Sequence, residues 1–156
     1  MNEPASAGFF MPRRLSWAAS PQPRPAMKFA IALFAPSHAP SSRRALRFAQ
    51  AALEGGHEIV RLFFYQDGVH SASANTVSPQ DEVDIAAQWR EFVQQNRLDA
   101  VVCIAAALRR GVLNADEAQR YGRPAANLEA PWELSGLGQL HEAAQMADRL
   151  VCFGGH

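Results

Sequence analysis

From Met27 onward the chain alternates short apolar runs with segments of helical periodicity, and this alternation constrains its fold more than any other feature. Lys28 to Phe34 has the length and residue types of a buried parallel strand, and Glu58 to Tyr65, Asp99 to Cys103 and Arg149 to Phe153 repeat the pattern. After the first run, Ser41 or Ser42 is placed to cap a helix whose face is Phe48, Ala49, Ala52 and Leu53, and Gly55-Gly56 stops it. A polar loop, 66–78, follows the second run. Ser78-Pro79 then predicts an N-cap and first helical position, with Asp81 in the first turn and Ile85, Trp89, Phe92 and Val93 as the buried stripe. Ala105 to Arg110 reads as a helical turn closed by Gly111. Asn114 with Glu117 resembles a capping box opening a short helix that ends at Gly122 and Pro124. Ser135-Gly136 introduces a helix through about Met146. The segment 122–134 is the least legible and leaves room for a further short strand. Strands separated by helices through short connections specify a three-layer α/β/α fold around a mainly parallel sheet.

The first 26 residues break this pattern. They hold Pro4, Pro12, Pro21, Pro23 and Pro25, half of the chain's 10 prolines, and no periodic apolar face, so 1–26 reads as a disordered leader or a mis-assigned start before a domain at 27–156. Arg13-Arg14 invites comparison with a twin-arginine export signal, but the apolar stretch Leu15 to Ala19 is too short and stops at Ser20-Pro21. Met27 as the start is the simpler expectation. The 15 basic and 15 acidic residues balance only overall: Arg13, Arg14 and Arg24 against Glu3 make the leader basic, and 27–156 is slightly acidic. That acidity argues against direct binding to a nucleic-acid backbone. No apolar run approaches the ~20 residues of a membrane span. Two cysteines, Cys103 and Cys152, are too few for a disulfide framework and lack zinc-site spacing, so a reducing compartment, the cytoplasm, is expected. Five scattered histidines argue against a metal centre.

Functional groups in such sheets collect beyond the carboxyl ends of strands, and Cys103 sits at one. If a helical turn begins directly after it, free N–H groups and the helix dipole favour a thiolate there, and Arg109 or Arg110 could add positive charge by folding back toward the sulfur. A buried core cysteine fits the same pattern equally well. Cys152, within Leu150-Val151-Cys152-Phe153, reads as core filler. The Cys103 to Arg109 spacing also occurs in cysteine phosphatases, but the intervening Ile-Ala-Ala-Ala-Leu offers no glycine for an anion nest. The loop Ala35 to Ser41 lacks the glycine of a flavin phosphate loop, so no cofactor is expected. His38 in that loop reads as a solvated histidine, and Phe63, Phe64, Tyr65, Trp89 and Phe92 read as core.

The segment Cys103 to Val112 resembles the active-cysteine segment of the TusD and DsrE-like sulfurtransferases. Phe63-Phe64-Tyr65 with Gly68-Val69, Ser78-Pro79, Asn127-Leu128 and Leu134-Ser135-Gly136-Leu137-Gly138 extend the resemblance from Met27 to about Phe153. The leader has no counterpart in that family. The resemblance implies a flavodoxin-like, DsrE-type fold and a persulfide intermediate on Cys103. It implies a sulfur relay with a TusA-like donor and a TusE-like acceptor, ending in 2-thiouridine at the tRNA wobble position. It also implies a heterohexamer with TusB-like and TusC-like subunits, or another oligomer. A DsrE-type role in dissimilatory sulfur oxidation, a non-catalytic structural subunit and a small cysteine phosphatase stand as alternatives. Persulfide transfer needs only an accessible thiolate, because donor and acceptor bring their own.

Overall fold

The computed structural model describes residues 25–128 and 130–154; apart from Pro25 and Ala26, the expected leader lies outside the described residues. Five strands, β1 (Lys28–Leu33), β2 (Glu58–Phe64), β3 (Ala100–Cys103), β4 (Glu133–Ser135) and β5 (Arg149–Phe153), form one sheet in the order β4-β3-β2-β1-β5, with every neighbouring pair parallel. Helices α1 (Pro40–Glu54) and α2 (Ile85–Asn96) cover one face, and α5 (Gly138–Met146) packs on β1, β2 and β5 from the other. Right-handed crossovers explain the layers. The chain steps outward from β1 to β4 with helices on one side, then reverses direction to place β5 beyond β1, and the reversal puts α5 on the opposite side. Two short helices, α3 (Ile104–Arg109) and α4 (Ala115–Arg120), link β3 to β4.

The core under α1 and α2 is aromatic. Phe64 meets Trp89 and Trp132 edge-on, with ring centroids 5.4 and 4.9 Å apart. Trp89 is fully buried, and its Nε1–H donates to Ser42 Oγ at 3.1 Å. This contact corrects the expected cap of α1. Ser42 serves the indole, the N-cap is Ala39 without a side-chain hydrogen bond, and Pro40 takes the first turn, where its missing N–H costs nothing. Helix α2 also starts later than Ser78-Pro79 predicts. Val77 and Val83 are 85% and 51% exposed, so residues 79–83 have no face to bury, and Asp84 caps instead by accepting from Ala87 N–H at 2.9 Å. The stripe Ile85, Trp89, Phe92 and Val93 is buried as expected.

Three further differences lie around the carboxyl ends of the strands. The polar loop holds a 3-10 helix, Gln66–Ala72, with Gly68, Val69, Ser71 and Ala72 buried. The illegible stretch before Ser135 contains β4, and Ser135 belongs to that strand instead of capping α5. Helix α5 buries only Ala143 among its residues. Leu140 packs partly buried against the core, and Arg61 on β2 adds polar ties, donating to Glu142 Oε2 at 2.8 Å and to the Gln139 carbonyl at 2.9 Å while pairing with Asp99 at 2.8 Å. Burial of the Arg61 guanidinium disfavours its charge, but the hydrogen bonds to Asp99 and Glu142 outweigh that and raise its pKa above the ordinary arginine value.

Candidate functional site around Cys103

Cys103 is the last residue of β3 and the N-cap of α3, with extended backbone angles and no side-chain cap on the helix's first N–H groups. Register pairs Phe63 with Val101 and Cys103 with Ser135, so alternation places Cys103 on the α5 side of the sheet. The Leu134-Ser135-Gly136-Leu137-Gly138 segment therefore borders it. Ser135 is the neighbour across the ladder, and Leu137, 50% exposed, begins the turn into α5. Sequence reasoning noted this segment only as a match, because nothing local in it announces a three-residue strand. Cys103 itself is 1% exposed. The strand-end position agrees with the expectation, and the exposed thiolate does not. Val101, Val102, Ala106 and Ala107 around it in sequence are buried too, which draws the thiol into the core.

Neither arginine acts as expected on the sulfur. Arg110 Nε donates to Asp67 Oδ1 at 2.7 Å, and its other arm reaches the Ala106 carbonyl at 3.3 Å, clamping the 3-10 segment to α3. Arg109 lies six residues beyond Cys103, about 9 Å along the helix and on another face of it, and lines a cleft with Leu108, Leu113, Tyr121 and Arg123. The continuous helix also removes the phosphatase reading, which needs a loop of N–H groups curled between cysteine and arginine.

Two residues fix the surroundings of α3. Gly68 seats the 3-10 segment on the end of β1. Its N–H donates to the Phe34 carbonyl at 3.1 Å, and a Cβ there would lie 2.2 Å from the Leu33 carbonyl oxygen, so no other residue fits without movement. Asn127 staples the turn after α3. Its Oδ1 accepts from Leu113 N–H at 2.8 Å, its Nδ2 donates to the Gly111 carbonyl at 3.0 Å, and its own carbonyl accepts from Ala74 N–H at 2.7 Å. Gly111 takes φ +69°, the left-handed turn that ends α3. Asn114 caps α4 as expected, accepting from Glu117 N–H at 2.9 Å.

Cys152 corrects the second cysteine expectation. β5 is an edge strand whose Val151 and Phe153 pair with Ile31 and Leu33, and Phe153 packs on Phe48 of α1. Leu150 and Cys152 alternate to the other side, where α5 leaves them exposed. The thiols are free and lie three strand spacings apart, about 14 Å, beyond disulfide reach. His38 is exposed, as expected, and lines a groove with Arg43, Arg44 and Arg47. Among the described residues, no group of three or more His, Cys, Asp or Glu is placed to hold a metal, and no helix is long and apolar enough to cross a membrane.

Comparison with known proteins places this geometry. The family model described as DsrE/DsrF-like matches residues 27–153. A "Sulfurtransferase TusD homolog" of Pseudomonas aeruginosa is 82% identical over 129 residues, covering 83% of this chain and 98% of that protein. A DsrE protein of Allochromatium vinosum is 50% identical over 129 residues, covering 82% of this chain and 99% of its own. "Sulfurtransferase TusD" of Salmonella arizonae is 42% identical over 128 residues, 81% of this chain and all of that one. Among solved structures, the ychN protein from E. coli superposes with a TM-score of 0.60 at 21% identity, over 82% of this chain and 99% of its own, which shows the shared fold. With a matching family model across nearly every described residue and relatives covered end to end, the chain belongs to the DsrE/DsrF-like family, among its TusD-like sulfurtransferases.

Proposed function

We propose that the chain carries sulfur as a persulfide on Cys103, taking it from a TusA-like donor and passing it to a TusE-like acceptor in the 2-thiolation of tRNA wobble uridine. The observation that supports this reading is the place of Cys103: the carboxyl end of an interior parallel strand, at the N-cap of α3, within the stretch that the DsrE/DsrF-like family model matches. In the transfer, the Cys103 thiolate attacks the outer sulfur of the donor persulfide. A new S–S bond forms as the donor's S–S bond breaks, the electron pair leaves on the donor thiolate, and there is no net oxidation. Negative charge that develops at Cys103 lies beside the uncapped N–H groups of α3. The second half repeats the step with the acceptor thiolate as nucleophile. We assign the chain to the cytoplasm and to an oligomer with TusB-like and TusC-like subunits, and the leader to a segment the domain does not need. Arg109 and Arg110 support the site by position rather than by contact with the sulfur.

A second reading follows from burial: a thiol 1% exposed fits a non-catalytic subunit of the same assembly. The acceptor pathway has its own alternative. A DsrE-type role in sulfur oxidation stands beside tRNA thiolation, because relatives named DsrE and TusD match at similar identity, 50% and 49%, while the 82% relative carries a TusD name. Incubation with a cysteine desulfurase, cysteine and a TusA-like carrier tests the main reading. One reducible sulfur is expected on Cys103 by peptide mass mapping, and none on Cys103→Ser. Undiminished loading of Cys103→Ser, or no loading of the wild type within its assembly, defeats it. Transfer onward to a TusE-like protein, rather than to a sulfite-reductase partner, separates the two pathways.

A further inference from the structure

Three exposed arginines crowd the start of α1, at the carboxyl edge of the sheet. Arg47 lies four residues after Arg43 and three after Arg44, the spacings at which helix side chains are neighbours and like charges repel. Helix α1 has no acidic residue before Glu54, and none of the three arginines meets a carboxylate within 4 Å among the described residues. The helix dipole adds to the cost. Arg43 and Arg44 stand near the positive, amino-terminal end of a 15-residue helix, where cations are disfavoured. Arg109 and Arg120, by contrast, stand in the last turns of α3 and α4, where the dipole favours them. Folding accounts for those two and works against the α1 cluster.

The cluster also faces a concave surface. His38, from the loop after β1, joins the three arginines along a groove of about 460 Å³, and the segment entering α2 forms the opposite wall with half-exposed Val83 and buried Ile85. Glu82 is the one carboxylate in the lining, so positive charge prevails there by three to one. A groove of this size holds a small organic molecule rather than a lone ion. Three guanidinium groups within about 6 Å of helix rise carry more charge than one carboxylate neutralises, and each fork pairs bidentately with phosphate. A long polyanion is a poorer match, because the domain as a whole is slightly acidic.

We propose that this groove binds a small phosphorylated molecule with at least two negative charges. Arg43, Arg44 and Arg47 grip its phosphate oxygens, and Val83 and Ile85 receive its apolar part. Side chains supply the grip, so the site does not need the glycine-rich phosphate loop that Ala35 to Ser41 lacks. The site is separate from Cys103, which lies on the α5 side of the sheet, and does not depend on the sulfur-carrier role.

Calorimetry and thermal unfolding of the full chain in about 150 mM salt test this, with inorganic pyrophosphate and ATP as probes. Sodium sulfate at matched ionic strength controls for screening, and a single-stranded oligoribonucleotide represents a polymer. Wild type is compared with Arg43→Gln/Arg47→Gln and with Arg123→Gln. Expected is saturable binding of pyrophosphate or ATP with Kd below about 1 mM, weakened at least about fivefold in the double variant and less than about twofold in Arg123→Gln. The probe should raise the wild-type Tm more than the variant's. Without ligand, the double variant should melt within about 2 °C of wild type or above it, because repulsion has been removed. No saturable binding of either probe, a smaller loss in the double variant, an equal loss in Arg123→Gln, or an equal effect of sulfate overturns the proposal. So does tighter binding of the oligoribonucleotide, which would assign the groove to a polymer. A ligand-free double variant melting more than about 2 °C below wild type overturns it as well, since the arginines would then serve the fold.

Discussion

The burial of Cys103 makes a quantitative prediction about its reactivity. Reaching the sulfur requires lifting the first turn of α3, which uncovers Cys103, Ala106 and Ala107, all at or below 1% exposure. Each methyl-sized group returned to water costs about 0.8 kcal/mol, so the opening costs about 2.5 kcal/mol. At about 1.4 kcal/mol per factor of ten, the thiol is open in about one molecule in 60. A neutral maleimide should therefore alkylate Cys103 about 60-fold more slowly in the native chain than in the urea-unfolded chain. Cys152, exposed on the edge strand, should react within about threefold of its unfolded rate. Acid quenching and peptide mass mapping give both rates in one experiment, and Cys152→Ser isolates the slower one. Native Cys103 reacting at its unfolded rate would refute the burial. A slowdown beyond about 10⁴ would mean that only global unfolding frees the thiol, and opening at α3 would fail as the route. A rise in the Cys103 rate when the proposed TusB-like and TusC-like partners are added would assign the opening to assembly.

Other changes probe the supports of the site. Arg61→Met removes the hydrogen bonds that tie α5 to β2; with Asp99 and Glu142 partly exposed and able to rehydrate, the loss should be about 2 kcal/mol in urea unfolding, with α5 amides losing exchange protection first. An unchanged midpoint and unchanged α5 protection would show that the helix is held otherwise. Gly68→Ala forces a Cβ against the Leu33 carbonyl and should cost about 2–4 kcal/mol, seen as a lowered Tm; a shift of under about 2 °C would contradict the close approach. Asn127→Ala strands Leu113 N–H and the Gly111 carbonyl and should cost about 1–3 kcal/mol, with Asn127→Asp, which keeps the acceptor, losing less; equal losses would deny the acceptor its role.

Sequence alone conveyed the elements with strong periodicity. β1, β2, β3 and β5 and the α2 stripe from Ile85 to Val93 sit where their apolar patterns put them, because those patterns are the burial itself. Starts of helices were less legible. Ser42 and Ser78 have the chemistry of caps, but Trp89 needed a buried acceptor and residues 79–83 had nothing to cover, and both demands come from outside the segment. β4 is three residues long and pairs on one side only, too short for alternation to register. The cysteines show the same limit in reverse. Cys103 follows three buried residues and is buried with them, while Cys152 looks apolar in sequence and is exposed, since an edge strand's uncovered side depends on how far a distant helix reaches. Position at a strand end was readable from sequence, and accessibility was not.

The strand order also bears on how long sulfur would stay on Cys103 under the proposed carrier role. With three strand spacings between Cys103 and Cys152, no thiol of the same chain reaches Cys103 to displace a terminal sulfur as sulfide. If Cys103 carries a persulfide as proposed, thiol attack on it must come from another molecule, and a site that opens in few molecules at a time screens out small thiols for most of its life. On that reading the sheet separates storage from discharge: geometry keeps the chain's own second thiol away, and the timing of release passes to whichever molecule can open α3.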